Sequence, residues 1–226
     1  MRIYVMALLL AGMMALVAPS VQAEGELMVM PASLKLDNTR DRTVSVKNLG
    51  DAPLYLSVSV QQVANPGMEP EVKVPLSQVE HPGLLASPDK ITLGPGQSRT
   101  ISLKSLHKPE AEHLYRLYIV PVRAMQVHQA PEGTIEAPMS VAVGYGVLVR
   151  HLPPLEIQTT GWTHRCQARG LMLENTGSLR VILSKVTGDN GLLKERLALF
   201  PGTPHIFNSK HVSLMAGDQK HELECP

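Results

Sequence analysis

Residues 137–154 read "APMSVAVGYGVLVRHLPP", and this stretch decides the fold. Met139, Val141, Val143, Tyr145, Val147 and Val149 fall on alternate positions, and no charge appears before Arg150. A period of two is the repeat of a β-strand. The run is about twice as long as the usual strand of roughly five or six residues. A long apolar strand is an aggregation hazard unless something covers its edge.

Working outward, "ELMVMPASLKL", "RTVSVKNLG", "LYLSVSVQQV", "KITLGPGQSRTISL" and "HLYRLYIVPV" precede it, each a short alternating segment closed by turn residues. Six or seven strands at this spacing predict an immunoglobulin-like sandwich. Gly94-Pro95-Gly96 reads as an inter-strand loop, and the polar "VHQAPEGTIEAP" (127–138) as a mobile hairpin loop leading into the long strand. Pro153-Pro154 then interrupts the pattern, because proline cannot donate to a sheet ladder. Beyond it, "LEIQTTGW", "RGLMLENTG", "RVILSKVTG", "KERLALFPGTPHIF" and "HVSLMAGDQKHELEC" form a second, smaller set of strands. The expected organisation is a leader over 1–23, a domain over 24–152 and a second domain over 153–226.

The leader rests on Arg2, the apolar run from Ile3 to Ala18 and the small-residue exit Val21-Gln22-Ala23. That is a secretory signal peptide with cleavage predicted after Ala23, and it implies a periplasmic location. The formal net charge of +1 argues against nucleic acid or an anionic membrane as partner. In an exported chain, Cys166 and Cys225 predict a structural disulfide. Closing a loop of roughly 60 residues contributes about 4 kcal/mol on the chain-entropy model.

The nine histidines are scattered, and neither His107 with His113 nor His205 with His211 has a common ligand spacing. Met28 and Met30 share a strand face, where filling a core is the commoner use of methionine. No nucleophile elbow, phosphate loop or paired-carboxylate pattern occurs. The expectation is therefore a protein with no enzyme activity, no cofactor and no metal. One feature of the strands is unusual: Arg116 stands in the middle of "AEHLYRLYIVPV", on the face shared by Glu112, Leu114 and Tyr118. It reads either as a solvated cation or as an anchor for a carboxylate, which a guanidinium grips with two parallel hydrogen bonds.

"NPG" at 65–67, "ASPDKITLGPGQSRTISL" at 86–103, "EHLYRLYIVPV" at 112–122 and "VAVGYGVLVRHLP" at 141–153 together resemble the periplasmic pilus-assembly chaperones of the chaperone–usher pathway. The resemblance is nearest to the alternate branch serving class 5 and CS1-type fimbriae. It implies an all-β fold of two immunoglobulin-like β-sandwich domains set in an L, with a cleft between them. It also implies a use for the long strand, which is lent to a pilus subunit lacking its own last strand. Matched by distance from Arg150, the donor residues are Ala137, Met139, Val141 and Val143. Burying three large apolar side chains supplies on the order of 5–9 kcal/mol before association costs.

The same resemblance implies an interdomain salt bridge of Glu112, Arg150 and a later acid, Asp218 by position. The usual carboxylate-anchoring Arg and Lys positions hold Ser33 and Gly146 instead, so the resemblance transfers the anchor to Arg116, aided by Lys35. The implied function is an ATP-independent chaperone that caps pilus subunits, major and minor or adhesin, and delivers them to an outer-membrane usher. Self-association of the free protein, hiding the apolar strand, stands as an open alternative state. The competing function is a pilus structural subunit or adhesin, for which "EGELMVMPASLKL" is the matching segment.

Overall fold

A computed structural model describes residues 26–122, 143–168 and 170–226. The expected leader, the expected 127–138 loop and the expected donor positions Ala137, Met139 and Val141 lie outside the described residues.

In the first domain the strands are β1 (Leu27–Met30), β2 (Ser33–Leu36), β3 (Arg42–Asn48), β4 (Leu54–Val63), β5 (Lys73–Pro75), β6 (Leu84–Ser87), β7 (Lys90–Leu93), β8 (Ser98–Ser105), β9 (His113–Pro121) and β10 (Tyr145–His151). One sheet has the order β1-β3-β8-β6, and the other has β2-β10-β9-β4-β5 with β7 also pairing β4. The alternation read in the sequence sets which side chains go inside. On β4, Leu56, Val58 and Val60 are buried while Ser57 and Ser59 are exposed; on β9, Tyr115, Leu117 and Ile119 point inward. Each large aliphatic side chain buried this way contributes roughly 1.5–3 kcal/mol.

The segment "ELMVMPASLKL" departs from its sequence reading as one run. It breaks at Pro31 into β1, antiparallel to β3 in one sheet, and β2, parallel to β10 in the other. Proline supplies no N–H to a ladder, so the chain can leave one sheet there without abandoning a donor.

The second domain comprises β11 (Trp162–Gln167), β12 (Gly170–Asn175), β13 (Val181–Gly188), β14 (Gly191–Leu199), β15 (His205–Phe207), β16 (His211–Ala216) and β17 (Gln219–Glu224). Its sheets run β11-β12-β15 and β14-β13-β16-β17. Leu171, Leu173, Leu183, Leu199, Val212 and Leu214 are fully buried between them. The Cys166–Cys225 disulfide joins β11 of one sheet to the residue following β17 of the other. A separate, smaller cluster of Val63, Leu114 and Phe200, flanked by Leu148 and Ala198, lies between the two domains.

Candidate interaction face and interdomain latch

β10 carries the carboxy-terminal half of the quoted stretch, and its two edges differ. From Tyr145 to His151 it pairs without interruption with β9, so the Gly144-Tyr145-Gly146 step is no bulge. It is a close approach instead: a Cβ on Gly144 would stand 3.0 Å from the Val120 side chain. On the opposite edge, β2 reaches only Leu148–His151, and its ladder is extended by Leu148 N–H donating to Ala32 O. Tyr145–Val147 therefore have a strand on one side only, among the described residues. Val143 is 71% exposed and Tyr145 40% exposed, whereas Val147 and Val149 turn into the core. An open backbone edge with apolar side chains beside it is the arrangement that accepts a further strand.

The face of this sheet that looks toward the second domain carries the charged groups. Leu148, Arg116 and Gln61 form one cross-strand row, and Arg150 and Leu114 the next. Arg116 donates through Nε (3.1 Å) and Nη2 (2.6 Å) to the two carboxylate oxygens of Glu71, which lies on the irregular chain leading into β5. Those hydrogen bonds hold the Glu71 carboxyl below its ordinary range and raise the Arg116 guanidinium above its own. Lys73 Nζ lies 3.0 Å from the Tyr118 hydroxyl and over its ring, with Glu71 close enough to feel its charge. Lys35 is exposed on β2 opposite Arg150, with β10 between it and β9. The structure thus gathers Glu71, Lys73 and Tyr118 around Arg116, and leaves Lys35 apart.

Between the domains sits a second ionic group. Glu112 is 3% exposed and immediately precedes β9. Its carboxylate accepts from Arg150 Nε (2.6 Å) and Nη2 (2.9 Å) and from the Arg180 backbone N–H (3.1 Å). The Glu112 N–H donates to Ser178 O, a further tie to the second domain. Arg180 Nε stands 3.8 Å from the carboxylate, and its guanidinium lies over the Phe200 ring. Burial, and secondarily the like charge of Arg150, lowers the Arg180 pKa.

Asp218 is not in this group. It occupies the two-residue turn between β16 and β17, where Gly217 takes a positive φ of 61°. Arg180 stands where the sequence reading placed Asp218, and it contributes a cation and a backbone donor rather than an acid. Glu112 and Arg150 are joined directly, and the domains are tied by the main chain of 178–180.

A third contact uses the "NPG" loop. Thr203 Oγ1 donates to Pro66 O at 3.0 Å, and Lys194 pairs with Glu69 at 3.1 Å. Gly67 has φ +87°, and a Cβ there would fall 2.3 Å from Ala198 O. Only glycine fits both the conformation and the clearance. His205 is buried beside this loop, and burial lowers its pKa.

Glu71, Arg180 and Gly67 are site residues that the sequence does not single out. Glu71 and Arg180 sit in irregular segments next to strands, where no period marks them. Gly67 is visible only as part of the "NPG" turn. Among the described residues, no group of three or more His, Cys, Asp or Glu is placed to hold a metal ion.

No protein-family model matches the sequence. Two Escherichia coli proteins are similar in sequence. One is a fimbrial subunit of CFA/I, 26% identical over 73% of this chain and 68% of its own length. The other is a fimbrial subunit of CS1, 26% identical over 70% of this chain and 66% of its own. The chain thus spans about two thirds of each relative. A solved structure of the class 5 fimbriae chaperone CfaA superposes with a TM-score of 0.67 at 22% identity, over 89% of this chain and 100% of that one. A chain from a chaperone–tip adhesin complex of CFA/I fimbriae biogenesis gives 0.67 at 23% identity, over 88% and 98%. The chain has the two-domain β-sandwich fold of these structures.

Proposed function

We propose that this protein is a periplasmic, ATP-independent chaperone that binds fimbrial subunits by lending them a strand and passes them to an outer-membrane usher. The observation that carries the reading is the one-sided strand: among the described residues, Tyr145–Val147 is paired on β9 and open on its other edge, at the end of an alternating apolar run. A partner segment laid along that edge gains main-chain hydrogen bonds for register, and apolar side chains of the run fill its groove. Ala137, Met139, Val141 and Val143 are the proposed groove-filling residues. The relatives support the partner class, since one solved complex contains a chaperone with a tip adhesin and another a chaperone with a pilin.

In this reading Arg116 receives the terminal carboxylate of the bound subunit, with a fork geometry suited to two oxygens. Glu112, Arg150 and Arg180 hold the domains so that both walls face one subunit. The role is binding, and no step of it calls for a catalytic group. Replacing Val141 with Asp places a charge in the bound subunit's groove. Co-purification of fimbrial subunits from periplasmic extract is expected to disappear while the chaperone stays folded; undiminished recovery contradicts the reading.

The names of the two sequence relatives favour a second reading, a fimbrial subunit. That role requires the protein to be found in sheared fibres, whereas the chaperone role requires it in the periplasmic fraction.

A further inference from the structure

Resting on the reading of Arg116 as a carboxylate seat, we propose that Glu71 is the resident occupant of that seat. The terminus of a bound subunit engages Arg116 by exchanging with the Glu71 side chain, and Lys73 with the Tyr118 hydroxyl completes the seat once Glu71 has swung out. Glu71 then sets how readily the chaperone accepts a terminus, while Arg116 selects for ligands that carry a free carboxylate.

The geometry supports each part. Glu71 takes the Nε and Nη2 donors of Arg116 in a two-oxygen fork. A chain-terminal carboxylate is chemically the same group, and the fork is the arrangement in which a guanidinium binds it best. The pair is half-buried, with side chains 29% and 24% exposed, so water and ligands reach it. Glu112, by contrast, is sealed and serves the interdomain latch.

The chain bearing Glu71 is held in place, so exchange needs only side-chain rotation. Asn65 accepts from Val72 N–H at 2.6 Å and donates to Pro70 O, and Ala64 N–H donates to Val72 O. With Glu71 rotated away, Arg116 and Lys73, the two cations that act on its carboxyl, remain beside the Tyr118 phenol. Among the described residues Glu71 is the carboxylate paired with Arg116, so its departure leaves a seat for one anion. The exchange is neutral in charge: one carboxylate leaves for water as another arrives. Such a swap yields modest affinity, because an arriving terminus replaces a pair that Arg116 already has; a ligand without a carboxylate cannot take those donors and leaves Glu71 in place.

The test uses the full chain and a defined probe, an octapeptide of alternating threonine and valine labelled at its amino end with fluorescein. One form ends in a free carboxylate and the other in an amide. Binding is read by fluorescence anisotropy, and folding of each variant is checked by thermal melting. Glu71→Gln is expected to tighten the free acid roughly three- to tenfold while leaving the amide unchanged. Glu80→Gln removes the same charge from a site away from Arg116, with its side chain 91% exposed, and is expected to change neither. Arg116→Gln is expected to abolish the preference for acid over amide. An acid preference that persists while Glu71→Gln leaves acid binding unaltered overturns the occupant role and keeps the seat. Equal binding of acid and amide, or no binding of the acid, in both the unaltered chain and Glu71→Gln overturns the seat itself.

Discussion

Replacing Glu112 with Ala strikes the contact on which the interdomain geometry depends. The carboxylate is sealed from solvent and accepts two hydrogen bonds from Arg150 and one from the Arg180 main chain. Taken singly, hydrogen bonds to a charged group are worth about 1.5–3 kcal/mol each, which sets a gross value above the net one. Burying the carboxylate costs several kcal/mol in return, so the pair as a whole adds little. The variant behaves differently from that net sum. It strands Arg150, 14% exposed, and Arg180, 21% exposed, as cations with no acid between them. Breaking a buried pair from one side costs about 3–5 kcal/mol. At about 2–4 °C per kcal/mol for a chain of this size, the melting temperature should fall by roughly 6–20 °C.

Urea unfolding followed in two windows localises the effect. Trp162 is the single tryptophan and lies in the second domain, while Tyr55, Tyr115, Tyr118 and Tyr145 lie in the first. Both transitions are expected to move, since the latch spans the two. The double variant Glu112→Ala with Arg150→Met removes one stranded cation and should recover at least half of the loss. A loss below about 1 kcal/mol, the level of an exposed ion pair, refutes the argument that this carboxylate fixes the two domains.

Two further outcomes follow from the same structure. Gly67→Ala forces a Cβ against the Ala198 carbonyl in a left-handed conformation; it should destabilise by about 1–3 kcal/mol and loosen the domains, read by thermal melting and small-angle scattering. His151 is fully buried, with Nε2 2.7 Å from Ser105 Oγ and Nδ1 without a partner among the described residues, and burial lowers its pKa to about 4. The unfolded chain binds this proton first, so stability should decline as pH falls below about 6.5 and level off below about 4, by roughly 3 kcal/mol at most. His113 and His205, also lowered by burial, act in the same direction, and the raised pKa of exposed His211 opposes them. His151→Gln should flatten the dependence measured by urea unfolding across that window; an unchanged slope counts against His151 as its source.

Much of the fold was readable because it rests on local rules. Alternation in "LYLSVSVQQV" and "HLYRLYIVPV" named the buried side chains of β4 and β9, and two cysteines in a chain read as exported pointed to their pairing. The ionic groups were readable only in part. Glu112 and Arg150 flank or lie on regular strands, where the family resemblance can be carried over position by position. Arg180 and Glu71 act across space from irregular segments, and nothing in the spacing says that 71 meets 116 or that 180 meets 112. Asp218 failed for the complementary reason: its position matched the acid that the resemblance implies, but the Gly217-Asp218 turn carries it to a hairpin tip. The switch of sheets at Pro31 was hidden as well: apolar residues run on even positions from Met28 to Leu36, yet the buried positions change from Leu27 and Val29 in β1 to Leu36 in β2 as the partner strand changes.

The proposal of a lent strand is tested most directly by amide hydrogen exchange of residues 137–147, compared between the free protein and its complex with a fimbrial subunit. Added main-chain pairing along the open edge predicts strong new protection at alternate amides through that stretch, with β12 and β13 unchanged. Protection confined to other surfaces, with 137–147 exchanging as fast in the complex as in the free protein, contradicts the account.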